Sequence, residues 1–189
     1  NKRGIEVDSR GEPTGVLKEE AADYIKSLSP ADPKTLMNAL DKATDYAHSL
    51  GVTSINDTVS TNEISIYVNA LKQGKLRMRV YLNFVEELFD HVTKVGVSTG
   101  FGNDWLKLGA LKLFSDGSIG SRTAALNGEF ADEKGNTGML IYEAGKLEEI
   151  VAKAHRAGIQ VAVHAIGDRA IGTALAAIQK ALKYVPRKD

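Results

Sequence analysis

The sequence contains no cysteine. Disulfides, thiolate zinc sites and a cysteine nucleophile are therefore excluded. It has no excess of charge either: 24 Lys and Arg stand against 24 Asp and Glu, for a formal net charge of zero. Nucleic-acid-binding proteins usually carry a basic excess, so no nucleic-acid partner is expected. No apolar run approaches the ~20 residues of a membrane-spanning helix, and no membrane partner is expected. No secretory signal is visible, and the expectation is a cytoplasmic location.

What is present is an ordinary globular mixture, 43% hydrophobic and 25% charged over 189 residues. That apolar content can build a core, which argues against disorder. The length suits one domain with a small appendage. The chain begins at Asn1 rather than Met, and the expectation is that it is a piece of a longer protein.

Residues 1–31 read as a preface of turns and short elements, with Gly11-Glu-Pro-Thr-Gly15 marking turns and 21–30 a weak helical segment. From residue 32 onward the pattern is regular. Asp32 is a good N-cap and Pro33 suits the first helical position. Leu36, Leu40, Ala43, Ala47 and Leu50 follow at helical spacing, and Gly51 can take a left-handed stop. Val52–Asp57 reads as a strand, and Ser60 with Glu63 forms a capping box before a helix ending at Gly74. Alternation in Arg77–Phe84 predicts a second strand, followed by a helix over Glu86–Lys94. Leu106–Phe114 is a third strand, interrupted by Gly109. A long connection over 115–144, punctuated by Gly117, Gly120, Gly128, Gly135 and Gly138, has the length of a functional loop. A helix around Leu147–Ala154, a strand Ile159–Val163 and a final helix follow. Asp168 is expected to cap that last helix, with Ile171, Ala174, Leu175, Ile178 and Leu182 as its apolar stripe.

Strands alternating with helices predict a parallel α/β sheet with right-handed crossovers. Four such units fit a small open sheet or half of a (β/α)8 barrel, whose full form takes about 250 residues. In both architectures the chemistry gathers at the carboxyl ends of the strands. Here these ends carry Asn56-Asp57, Asn83, Lys112 to Asp116, and His164 to Asp168. His164 directly follows an apolar strand, where an imidazole is either a metal ligand or a satisfied core histidine. Lys112 interrupts another such strand. Burial would favour its neutral form and suit it as a base, a Schiff-base amine or a carbamate former. Otherwise it snorkels, or pairs with Asp116. Asp116-Gly-Ser118-Ile-Gly-Ser-Arg122 offers amides, hydroxyls and a guanidinium to an anion. His48, His91 and His155 read as helix residues, and no two histidines are spaced as a ligand pair.

Two longer stretches carry a family resemblance. Leu111-Lys-Leu-Phe-Ser-Asp-Gly-Ser-Ile-Gly-Ser-Arg-Thr-Ala-Ala-Leu126 resembles a signature of the amidohydrolase superfamily, in the amidohydrolase 3 branch that contains N-substituted formamide deformylase. Val161-Ala-Val-His-Ala-Ile-Gly-Asp-Arg-Ala-Ile171 resembles a second signature of that branch, and Gly11–Leu17 and Gly51–Ile55 resemble further segments of it.

The resemblance implies a distorted TIM-like (β/α)8 barrel, of which residues 32–189 would supply strands two to five. It implies a hydrolase acting on non-peptide C–N bonds of a small amide-like substrate. One or two divalent metals, zinc foremost, would be held per full-length chain. Lys112 would match the fourth-strand lysine, often carboxylated, and His164 the fifth-strand histidine. Asp116, Ser118 and Arg122 are expected to touch substrate. The family's H-x-H pair, sixth-strand histidine and eighth-strand aspartate have no counterpart here, and its general base is expected outside these residues. The isolated piece is therefore expected to be inactive, and to self-associate as a homo-oligomer through open strand edges. The competing reading is a non-catalytic binding or self-assembling half-barrel module.

Overall fold

The computed structural model describes residues 4–17, 21–22, 25, 28, 32–143 and 145–186. Most of the helical segment expected at 21–30 lies outside them. The chain divides into two units, residues 1–39 and 40–189. In the first, β1 (Ile5–Val7) and β2 (Pro13–Leu17) form an antiparallel hairpin. Its turn closes on Asp8, whose Oδ1 accepts the amides of Arg10 at 2.8 Å and Glu12 at 2.9 Å. Helix α1 (Pro33–Ser49) begins as its sequence dictates: Asp32 Oδ1 accepts the Lys34 and Thr35 amides, two donors the first turn leaves unpaired.

The second unit is a four-stranded parallel sheet in the order β3 (Ser54–Val59), β4 (Arg79–Val85), β5 (Leu106–Phe114) and β6 (Val161–His164). The crossovers carry α2 (Thr61–Lys72), a 3-10 turn (Glu86–Leu88) with α3 (Phe89–Lys94), and α4 (Lys146–Arg156); α5 (Asp168–Tyr184) follows β6. The capping box at the head of α2 is formed, with the Ser60 amide donating to Glu63 Oε2 at 3.1 Å. One sheet face is apolar and packs on the helices. Phe84, Leu111 and Leu113 meet Leu147, Ile150, Val151 and Ile159 there, all at most 5% exposed. Burial of these side chains stabilises the fold by about 1.5–3 kcal/mol each.

The other face carries Asn56, Tyr81, Asn83, Lys112, Phe114 and His164, as the strand registers and the two-residue alternation require. A bulge in β5 puts Lys112 there. Leu82 is level with Leu108, but Phe84 is level with Leu111, so β5 spends one extra residue around Gly109. Without it, Lys112 would share the helix-facing side with Leu108. The bulge is held by Asn83, whose Oδ1 accepts the Ala110 amide at 2.9 Å. A Cβ on residue 109 would lie 2.6 Å from both that oxygen and Tyr81 Cδ1, so only glycine fits. Gly109→Ala is expected to destabilise the protein by about 1–3 kcal/mol, read as a lower urea midpoint.

Helix α5 corrects the sequence reading of its buried face. Ala170, Ala174, Ala177 and Ala181 are buried, and the helix packs along α4, whereas Ile171, Leu175 and Leu182 are 43%, 61% and 44% exposed. Close approach between elements selects small side chains, and an apolar stripe cannot reveal which of its members sit at the contact.

Candidate metal centre

The carboxyl ends of β5 and β6 bring Lys112 and His164 onto the same face. Lys112 is level with Ala162, and Phe114 with His164, so the lysine and the histidine sit one pleat apart on adjacent strands. Phe114 lies beside both: its ring centroid is 4.9 Å from Lys112 Nζ and 5.5 Å from the His164 ring. Partial burial pulls the Lys112 amine below the usual lysine range, because desolvation disfavours the ammonium. The Phe114 face favours the cation, but the net direction is down. Among the described residues no carboxylate pairs with Lys112.

His164 is fixed through both backbone and ring. Its carbonyl accepts the Ser115 amide at 2.9 Å and the Ser115 hydroxyl at 2.6 Å. Its Nε2 lies 2.8 Å from Gly117 O. A carbonyl only accepts, so Nε2 carries a proton, and in the imidazole form the lone pair is at Nδ1. This is the arrangement of a ligand histidine whose other nitrogen is oriented by a backbone carbonyl. The chemistry of the pair therefore suits a divalent cation, with a partly desolvated amine and an imidazole of defined tautomer on one face. The two do not complete a site, and no group of three His, Cys, Asp or Glu able to hold a metal occurs among the described residues. A groove of about 630 Å³ occupies the same sheet face, lined by Ser54, Asn56, Tyr81, Asn83, Lys107 and Gln160. Lys112 and His164 do not line it.

The three residues expected to bind substrate make hydrogen bonds within the protein. Asp116 is 1% exposed. Its Oδ2 accepts the amides of Gly167 at 2.7 Å and Ala125 at 2.9 Å, and its Oδ1 accepts the Ile166 amide at 3.0 Å. The nearer approach of His164 Nε2 to this carboxylate is 3.8 Å, beyond a hydrogen bond. Asp116 thus ties the 115–144 connection to the β6–α5 turn. The Ser118 hydroxyl lies 2.9 Å from Ser121 Oγ, inside a local turn. Arg122, at a positive φ of 59°, grips Asp132 through Nε at 3.0 Å and through Nη2, and donates from Nη1 to Ile119 O at 2.8 Å. Its fork is bound within its own loop.

Asp168 is also reassigned. It is the first residue of α5, behind an N-cap at Gly167, and it accepts the backbone and side-chain N–H of Asn127 at 2.9 and 3.0 Å. Sequence reasoning missed Thr123 and Gly167. A Cβ on residue 167 would lie 1.9 Å from Ala125 O, so glycine there lets the β6–α5 turn close on the long connection. The only sequence signal was the Gly-Asp pair after the strand. His48 sits in the last turn of α1, His91 is exposed on α3, and His155 on α4 contacts Val185 O.

The amidohydrolase family model matches residues 1–189. The chain belongs to the amidohydrolase family. It is 32% identical over 183 residues to the amidohydrolase YtcJ of Bacillus subtilis, covering 93% of this chain and 34% of that protein. It is 26% identical to the N-substituted formamide deformylase of Arthrobacter pascens, again covering 93% of this chain and 34% of the relative. Among solved structures it is similar to a metal-dependent hydrolase from Pyrococcus furiosus, with a TM-score of 0.80 and 28% identity over 96% of this chain and 38% of that one. This amidohydrolase-family chain therefore spans about a third of the length of the relatives it matches.

Proposed function

We propose that these residues are the part of a metal-dependent amidohydrolase that supplies two metal ligands, Lys112 and His164, from adjacent strands of a TIM-like barrel. In this reading β3 to β6 are its second to fifth strands. The observation that carries the proposal is the shared face of Lys112 and His164, with the histidine tautomer already set by Gly117 O.

His164 would bind through Nδ1, the nitrogen left with a lone pair. Lys112 would bind as a carbamate. Its neutral amine adds to CO2, forming an N–C bond and releasing one proton, and so becomes an anionic oxygen donor. The depressed basicity of Lys112 favours that step, because only the unprotonated amine is a nucleophile. Phe114 places apolar surface beside the lysine, its ring centroid 4.9 Å from Nζ. A bound divalent cation, zinc being the expected one, supplies the charge that acidifies water and polarises an amide-like carbonyl. The proton-transferring base and the remaining ligands come from outside these residues, so the isolated chain is expected to be inactive. The substrate class is a small non-peptide compound with an amide-like C–N bond.

In the whole protein, elemental analysis should find about one or two divalent ions per chain. Chelation should abolish hydrolysis of amide-like substrates, and zinc should restore it. Protein purified in metal-supplemented medium that holds no metal, yet remains folded, would remove the basis of this reading.

A further inference from the structure

The peptide unit between Gly117 and Ser118 is held from both sides. Its carbonyl accepts the His164 Nε2–H at 2.8 Å. Its N–H, which belongs to Ser118, donates to Thr123 Oγ1 at 3.0 Å. Thr123 Oγ1 lies 2.6 Å from Ser121 Oγ, which is itself 2.9 Å from Ser118 Oγ. The backbone closes around the same contact, since the amides of Thr123 and Ala124 both donate to Ser118 O at 3.1 Å. A Cβ on residue 117 would lie 1.9 Å from Thr123 Oγ1, so glycine there is what lets the hydroxyl come so close.

A peptide unit is planar. Fixing the direction of its N–H therefore fixes the direction of its C=O. Hydrogen bonds in series also polarise one another, so a bond donated from the N–H end strengthens the carbonyl as an acceptor. The chain of contacts runs from Ser121 to Thr123, through one rigid amide, to the ring of His164.

We propose that Thr123 is a positioning residue for His164. Its hydroxyl holds the Gly117–Ser118 peptide so that the Gly117 carbonyl keeps His164 in the Nε2–H tautomer, with Nδ1 as the lone-pair nitrogen. The consequence for metal binding rests on the reading of His164 as a ligand; the consequence for the tautomer does not. Sequence spacing alone could not suggest this role, because Thr123 and His164 lie far apart in the chain.

The test compares Thr123→Val, which keeps the shape and loses the hydroxyl, with Thr123→Ser, which keeps the oxygen, in the whole protein. Long-range ¹H–¹⁵N spectra of the metal-free protein should show a protected Nε2–H on His164 in the wild type and in Thr123→Ser. In Thr123→Val that signal should broaden or exchange faster as the second tautomer becomes populated. Competition titration with Zn²⁺ should show affinity about 10- to 100-fold weaker in Thr123→Val and close to wild type in Thr123→Ser, the range seen when a group orienting a metal ligand is lost. If Thr123→Val does not fold, Ser121→Ala reads the same relay, with a smaller shift in the same direction. Unchanged tautomer protection and unchanged Zn²⁺ affinity in the folded variant would overturn the proposal. A wild-type protein that binds no Zn²⁺, but whose His164 tautomer depends on Thr123, would remove the metal reading and leave the positioning role standing.

Discussion

Lys112→Ala in the whole protein is expected to lower hydrolytic turnover by about a thousandfold or more and to reduce bound metal. Metal-assisted polarisation supplies several kcal/mol to the barrier, and each 1.36 kcal/mol is a factor of about ten in rate. The variant should stay folded, because Lys112 lies outside the buried core and has no ion pair among the described residues. If the lysine acts as a carbamate, acetate or propionate should restore part of the activity by placing a carboxylate where the carbamate stood. Lys112→Arg should not be rescued, because the guanidinium fills the space and stays charged. A pH dependence follows. Carbamate formation requires the neutral amine, so CO2-dependent activation of CO2-stripped protein should quicken as pH rises. It should level off below the ordinary lysine range, because desolvation has lowered the amine's pKa. Wild-type turnover and metal content in Lys112→Ala would remove the lysine from the site.

The second large effect is on stability. Asp116→Ala is expected to destabilise the fold by about 3–5 kcal/mol, the range for leaving buried polar partners of a charge unsatisfied. Three amides, those of Ala125, Ile166 and Gly167, lose their acceptor in a region closed to water. Asp116→Asn should fall between, since its amide nitrogen cannot accept from an N–H while its remaining oxygen can. Urea unfolding of the three proteins reads this order directly. An Asp116→Ala unfolding free energy within about 0.5 kcal/mol of wild type would show that the three bonds are not coupled to folding.

These two residues lie four positions apart in one sequence signature, yet they part company in the fold. Lys112 stood out because a charged residue interrupts an apolar strand, and that signal is local. Asp116 looked equally site-like, in a glycine-rich stretch with hydroxyls and an arginine. Its partners are 9, 50 and 51 residues away, so no local pattern could show that its oxygens were already taken. The same holds for Arg122, whose fork is claimed by Asp132, and for Ser118, whose peptide is held by Thr123. The helix α5 stripe held only in part, at Ala174 and Ile178, for a related reason: periodicity finds a face, but the depth of contact decides whether alanine or leucine lies against the neighbour.

By itself the sequence determined the succession of strands and helices, the Asp32 cap, the Ser60–Glu63 box and the family. Each rests on residues within a few positions of one another, or on motifs read in order along the chain. The tertiary structure decided which polar groups are free to act. The β5 bulge turns Lys112 to the open face, Gly117 O selects the His164 tautomer, and Asp116 is withdrawn into the scaffold. A hydrogen-bond donor or acceptor is available only after its competitors are counted, and those competitors come from distant parts of the chain.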